Sequence, residues 1–266
     1  MNDDVLNGAW ALVLGASSGM GAAAARLLAA RGAHVLGVHF DTAATQPQAD
    51  ALVAELRAHN GTVEFHNANA ASRSVRADIV DRLRESAAER GVRVLLHSLA
   101  FGTLAPYLRG SDAQKPVEAR QLGMTLDVMA HSLVYWTQDL HKAELLRPGA
   151  KVFAMTSAGT SRVSANYGPV SAAKCALEAH VRQLAVELAP DGVAVNAIRA
   201  GVTPTRSLER IPEHAELLDR ARAGNPHRRL TTPEDVAEVI THLALLDSSW
   251  LTGNVIGVDG GEVHTV

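Results

Sequence analysis

The chain contains one cysteine, Cys175, in 266 residues. An internal disulfide is therefore excluded, and the thiol usage fits a reducing compartment. No apolar run reaches the ~18 residues that a bilayer-spanning helix needs. The first residues, MNDDVLNGAW, show neither a basic segment nor an apolar segment of a secretory leader. These features predict a cytoplasmic protein that does not cross a membrane. Charge of one sign is also lacking: the net charge is −3, which implies no general attraction to nucleic acid or to a membrane surface. Twelve histidines are scattered without the spacing of a ligand set, so no metal site is expected. Aromatic residues make up only 4% of the chain.

What is present is a composition 47% hydrophobic and 20% charged, enough for one sizeable core. Residues 1–266 are accordingly expected to form a single domain. Short apolar runs alternate with longer amphipathic stretches. Strands are predicted at Ala9–Leu14, Ala33–His39, Thr62–His66, Val92–Ser98, Ala150–Met155, Val193–Ile198 and Asn254–Val258. Helices are predicted at Gly19–Arg31, Gln48–Asn60, Ser72–Arg90, Pro116–Lys142, Ala165–Leu188 and Pro233–Leu246. Strands apolar on both faces and separated by helices imply an α/β fold of Rossmann type: a doubly wound parallel sheet with helices on both faces. The least periodic stretch, Pro204–Arg229, reads as a helical flap or loop at the carboxyl edge of the sheet, where the sites of such folds lie.

Between the first strand and first helix stands Gly15-Ala16-Ser17-Ser18-Gly19-Met20-Gly21. Glycines there allow a tight turn and close approach of a pyrophosphate to the backbone, and the following helix offers free N–H groups to that anion. The alternative is a structural glycine turn. Further on, NYGPVSAAK places Tyr167 six residues before Lys174, with Val170 at the spacing of three.

GASSGMG resembles the glycine motif of the short-chain dehydrogenases/reductases. Asn67-Ala68-Asn69, VNAIRAGVTPT at 195–205 and VDGG at 258–261 continue the likeness over nearly the whole chain. The resemblance implies a nicotinamide dinucleotide lying against Gly15, Ser17, Ser18, Gly19, Met20 and Gly21. Asn69 and Ala70 would meet the adenine, although Asn69 also reads as a turn residue. The backbone of Gly201, Val202 and Thr203 would hold the carboxamide, and Thr205 would touch the phosphates. Cofactor choice is read after the second strand, at His39 and Asp41. A carboxylate there favours NAD(H), an Arg favours NADP(H), and no Arg or Lys lies in the glycine loop. The expectation is NAD(H) or NADP(H), leaning to NAD(H).

The stretch His97-Ser98-Leu99-Ala100-Phe101-Gly102 and the Tyr-x6-Lys spacing are similar to the enoyl-acyl-carrier-protein reductase branch, in the type with an ordinary glycine motif. Ser98, Leu99 and Ala100 are then cofactor-lining. The relay Asn used by carbonyl reducers falls at Met129. The catalytic residues implied are Tyr167 and Lys174, with Ser157 at the position of the family's catalytic serine or a mere loop cap. The function implied is NAD(P)H-dependent reduction of a 2-enoyl thioester of acyl-carrier protein or coenzyme A, as in fatty acid biosynthesis. A carbonyl reductase or alcohol dehydrogenase and a non-catalytic dinucleotide-binding regulator remain as alternatives. Arg206, Arg210, Arg220, Arg222, Arg228 and Arg229 read either as a patch for an acidic carrier or as a solvated face paired with its own acids, such as Glu209 and Asp219. The family likeness implies a homotetramer.

Overall fold

In this computed structural model the structure describes residues 5–109, 115–211 and 214–265. Every apolar run forms a strand: β1 (Trp10–Leu14), β2 (His34–His39), β3 (Val63–Asn67), β4 (Val92–His97), β5 (Lys151–Ser157), β6 (Ala194–Ala200) and β7 (Val255–Val258). They pair in the order β3-β2-β1-β4-β5-β6-β7, all in parallel. Because a parallel strand returns only by a crossover, helices must cover both faces, and the strands lose their polar positions. β1 is buried along its whole length.

On one face, α1 (Gly19–Ala30), α2 (Gln46–Leu56) and α9 (Pro233–Leu245) seal a core of small residues, Ala22 to Ala25 with Leu28, Leu56, Val236 and Ile240. On the other lie α3 (Arg73–Ser86), α4 (Ala119–Leu126), α5 (Ser132–Lys142) and α6 (Gly168–Glu187), around Leu83, Leu133, Trp136 and Leu177. Two short helices, α7 (Arg206–Glu209) and α8 (His214–Gly224), follow β6 in the expected flap. Pro212 and Glu213, within that flap, lie outside the described residues. The outline is the Rossmann-type doubly wound sheet that the periodicity implies.

Differences in detail have local causes. The helix expected from Pro116 begins at Ala119, where Glu118 and Gln121 form a reciprocal cap. It is also not one regular helix: residues Asp127–His131 make a π-helical turn between α4 and α5, a feature often found where a helix serves a site. α2 stops at Leu56 rather than Asn60, and α3 at Ser86 rather than Arg90. β5 and β6 each run two residues further than expected, bringing Ser157 and Ala200 to the carboxyl edge. Among the described residues no helix is long and apolar enough to cross a membrane.

Candidate active site

The glycine turn follows from steric necessity. Gly15 has φ +85°, and a Cβ on it would come within 2.4 Å of the Ser98 backbone oxygen. A Cβ on Gly21 would come within 2.1 Å of the Gly15 oxygen. Only glycine lets β1, the β4 end and α1 converge so closely. Ser18 makes no side-chain cap on α1, and the first turn carries no acid, so no side chain of the helix itself occupies its positive end. Across the cleft the Thr205 methyl lies 3.4 Å from where a Gly19 Cβ would be. This cradle, with bare backbone and no room for side chains, fits a dinucleotide pyrophosphate.

At the end of β2 the acid that faces this turn is Asp41. His39 is turned inward instead: its side chain is 2% exposed, its ring lies against Phe65, and its Nδ1 is 2.9 Å from Asp41 Oδ2. Burial works against the Asp41 charge, but hydrogen bonds from Ser17, Thr45 and His39 outweigh it and hold the carboxyl below its usual range. Asn67 clamps the Asp41 backbone through both its amide atoms, 3.0 Å each. The guanidinium of Arg206, from the flap, reaches within 3.5 Å of Asp41 Oδ1. Neither Asn67 nor Arg206 was singled out for this end from sequence. Arg206 lies 165 residues away, and no local pattern brings it there.

Other expected cofactor positions have visible engagements. The Asn69 side chain accepts from the Ala71 amide at 3.0 Å and shapes the turn into α3. The Ala70 carbonyl accepts from Trp136 Nε1. Ser98 donates its amide to Leu14 in the strand-end ladder, Leu99 packs beside Met129 and Val170, and Ala100 is exposed. The Val202 amide, expected to hold a carboxamide, donates to Glu262 Oε2 at 3.0 Å. Burial pushes the Glu262 carboxyl up. Thr203 is buried, with its hydroxyl on the Gly201 carbonyl, and Thr205 caps α7.

The tyrosine stands where chain geometry forces it. Asn166 adopts φ +58°, a left-handed conformation that Asn tolerates better than most residues. The next residue, Tyr167, is the N-cap of α6, with Pro169 in the first turn. Its hydroxyl is 3.4 Å from Ser157 Oγ, which also accepts from the Gly159 amide. Burial raises the Tyr167 pKa, with the Ser157 hydrogen bond acting against it. The ring depends on Gly159, which sequence reasoning passed over: a Cβ there would be 2.5 Å from Tyr167 Cε1. Val170, Met129, Val128 and Ala173 make an apolar cluster beside the tyrosine, so neither Met129 nor Val170 offers a proton-bearing group.

Lys174 is buried two turns into α6, and its ammonium donates to the Met155 carbonyl at 2.7 Å. Burial lowers its pKa to about 8, opposed by the Glu178 carboxylate. Glu178 in turn accepts from Thr156 Oγ1 at 2.7 Å. Beside Tyr167 opens a cleft of about 420 Å³, lined by Ala105, Tyr107, Val163, Tyr167, Ser171 and Ala172 among others.

The flap arginines do not form a common patch. Arg222 pairs with Asp219, Arg229 with Asp235, and Arg220 and Arg228 bond backbone oxygens of their own segment. Arg210 lies over the Phe101 ring and Arg206 goes to Asp41. Of the acids expected to pair with them, only Asp219 takes an arginine side chain among the described residues. Among the described residues no group of three or more His, Cys, Asp and Glu side chains is placed to hold a metal.

A family model described as enoyl-(acyl carrier protein) reductase matches residues 15–262. The chain is 34% identical over 135 residues to the NADH-dependent enoyl-acyl-carrier-protein reductase FabI of Escherichia coli (strain K12), covering 51% of each chain. It thus spans about half the length of that relative. It is 31% identical over 260 residues to the 3-oxoacyl-acyl-carrier-protein reductase of Synechocystis sp., covering 95% of this chain and 96% of that one. Among solved structures, a short-chain dehydrogenase from Burkholderia cenocepacia J2315 in complex with NADP superposes with a TM-score of 0.80 at 27% identity, over 97% of this chain and 98% of that one. The enoyl-acyl-carrier-protein reductase of Anaplasma phagocytophilum in complex with NAD gives a TM-score of 0.80 at 22% identity, over 98% and 94%. With the glycine turn, the sheet order and these matches in hand, the chain belongs to the short-chain dehydrogenase/reductase family, close to its enoyl-acyl-carrier-protein reductase branch.

Proposed function

We propose that the protein reduces the C=C bond of a 2-enoyl thioester, on acyl-carrier protein or coenzyme A, with NAD(H) or NADP(H) as cofactor. The observation that carries this reading is the position of Tyr167. Tyr167 lines the cleft with its hydroxyl towards Ser157, and the nearer helical position, where a carbonyl reducer keeps its acid, is occupied by Val170 within an apolar cluster. The chemistry that a nicotinamide would supply when bound is a hydride for C3 of the enoyl group. Negative charge then gathers on the thioester oxygen, two carbons from C3, and a donor aimed at it must stand back from the hydride path. Tyr167 O–H is the donor, as oxyanion stabiliser or proton source. Ser157 steadies its hydroxyl. Lys174 would supply the positive charge that makes a tyrosinate less costly and would hold the ribose hydroxyls. In this reading residues 15, 17–21, 41, 69, 70, 98–100, 201, 203 and 205 line the cofactor, and the stretch from Pro204 to Arg229 is the substrate-side flap of the one domain.

Purified protein is to be assayed with NADH and with NADPH against crotonyl and longer 2-enoyl thioesters. Tyr167→Phe should lower kcat by about 10²–10³-fold, the usual effect of losing an oxyanion donor, while cofactor affinity stays within about twofold. A second reading, reduction of a 3-oxoacyl thioester, has one observation in its favour: the full-length match to the Synechocystis 3-oxoacyl reductase. Tyr167-dependent turnover of 3-oxoacyl thioesters without turnover of enoyl thioesters would replace the first reading by the second. Tight cofactor binding with turnover of neither would point to a binding protein.

A further inference from the structure

His97 closes β4 with its side chain wholly buried. Its two ring nitrogens have different surroundings. Nε2 lies 2.8 Å from Ser132 Oγ, and that hydroxyl donates its only hydrogen to the Val128 carbonyl, also at 2.8 Å. A hydroxyl so committed can only accept from the ring, so Nε2 carries the proton and Nδ1 presents a bare lone pair. Nδ1 is buried and has no hydrogen-bond partner among the described residues, a situation costly enough to need an explanation.

The sheet register supplies one. His97 pairs with Ala154 on β5, and the next carbonyl on that strand, Met155's, holds the Lys174 ammonium. An ammonium has three hydrogens, and the Met155 carbonyl engages one. Burial first, and the charge of Lys174 second, bring the His97 pKa down to about 3. The ring is therefore an uncharged acceptor at any working pH. The other titratable groups facing this lysine are Glu178, one turn further along α6, and Tyr167 at the head of that helix.

From this geometry we infer that His97 is a positioning residue for Lys174, its Nδ1 accepting from the ammonium through one water and keeping that side chain charged and aimed into the site. The inference rests on the reading of Lys174 as the cation of the site. Its test is made on the protein without cofactor or substrate, so it stands or fails separately from the enoyl reading.

The chain has four lysines, Lys115, Lys142, Lys151 and Lys174, few enough for a titration by NMR with 13Cε-labelled lysine. Lys174→Arg identifies the signal, which matters because Lys151 also titrates at about 8. An Asn side chain reaches the place of Nδ1, and a Gln side chain reaches the place of Nε2. His97→Leu and His97→Gln should lower the Lys174 midpoint by about one pH unit, since the charged form loses an acceptor. His97→Asn should keep it near the wild-type value while giving up the bond to Ser132. A Lys174 midpoint equal in all variants, or restored by Gln and not by Asn, would overturn the inference and leave His97 a core residue bonded to Ser132. Should the Leu variant fail to fold, the Asn and Gln pair still decides.

Discussion

At the scale of single residues, the cofactor end turns on two opposed charges. Asp41 faces the glycine turn, where a carboxylate accepts from ribose hydroxyls and repels a 2′-phosphate, but Arg206 stands 3.5 Å from it and offsets that repulsion. The carboxylate is held charged by three hydrogen bonds, whereas the guanidinium side chain is 38% exposed and can move. NADH should therefore be preferred. Asp41→Ala should raise the ratio of kcat/KM for NADPH over NADH by about tenfold, and Arg206→Ala should lower it. Unchanged ratios in both variants would show that neither charge reads the ribose. His97 sets an acid limit on stability at the same scale. Its folded pKa of about 3 lies below the ordinary 6.5, so the unfolded chain binds the proton first. The stabilisation is complete above about pH 6.5 and drains away as pH falls towards 3, by several kcal/mol in all. Denaturant titrations at pH 7 and pH 4 should show a smaller loss of stability in His97→Asn than in the wild type. An equal loss would assign the acid limit to other groups.

At the scale of elements, the site depends on two turns that leave no room for change. Gly159 must be bare for the Tyr167 ring to lie against the β5 end, and Asn166 must bend backwards for Tyr167 to open α6. Gly159→Ala should displace the ring. Turnover should fall by an order of magnitude or more while thermal stability drops by only about 1–3 kcal/mol, the usual range for overpacking. A variant with full activity would mean that the ring has another berth. On the opposite face, Thr232 and Asp235 cap α9 reciprocally and Arg229 holds Asp235. Thr232→Ala should cost about 1 kcal/mol without touching the cofactor, checked by urea unfolding and a cofactor titration. The strands and helices were legible in the chain because their signals are local, apolar runs and the glycines and prolines between them, whereas the Gly159 and Asn166 turns and the Thr232–Asp235 cap were passed over. The π-helical turn at Asp127–His131 was not legible, since it depends on how α4 and α5 fit over the β4 end and under α6.

At the scale of the whole molecule, the sheet order decides what meets what. By placing β1 between β2 and β4, it sets the glycine turn between Asp41 and Ser98. By placing β5 beside β4, it pairs His97 with Ala154, one residue before the Met155 carbonyl that holds Lys174. The family likeness further predicts assembly as a homotetramer through the long helices. Light scattering should return four times the chain mass of 28.1 kDa; a monomeric or dimeric mass would end that expectation.

Taken alone, the amino-acid order determined the parallel α/β architecture, the glycine turn and the six-residue interval from Tyr167 to Lys174. Periodicity, turn chemistry and spacing along one helix are properties of neighbouring residues. Only the tertiary structure decided that Asp41 rather than His39 faces the glycine turn, that Arg206 crosses to it, that Glu262 occupies the Val202 amide and that His97 Nδ1 is buried without a partner among the described residues. Those pairings join residues far apart in the chain, and burial, strand register and helix packing fix them where no local pattern can.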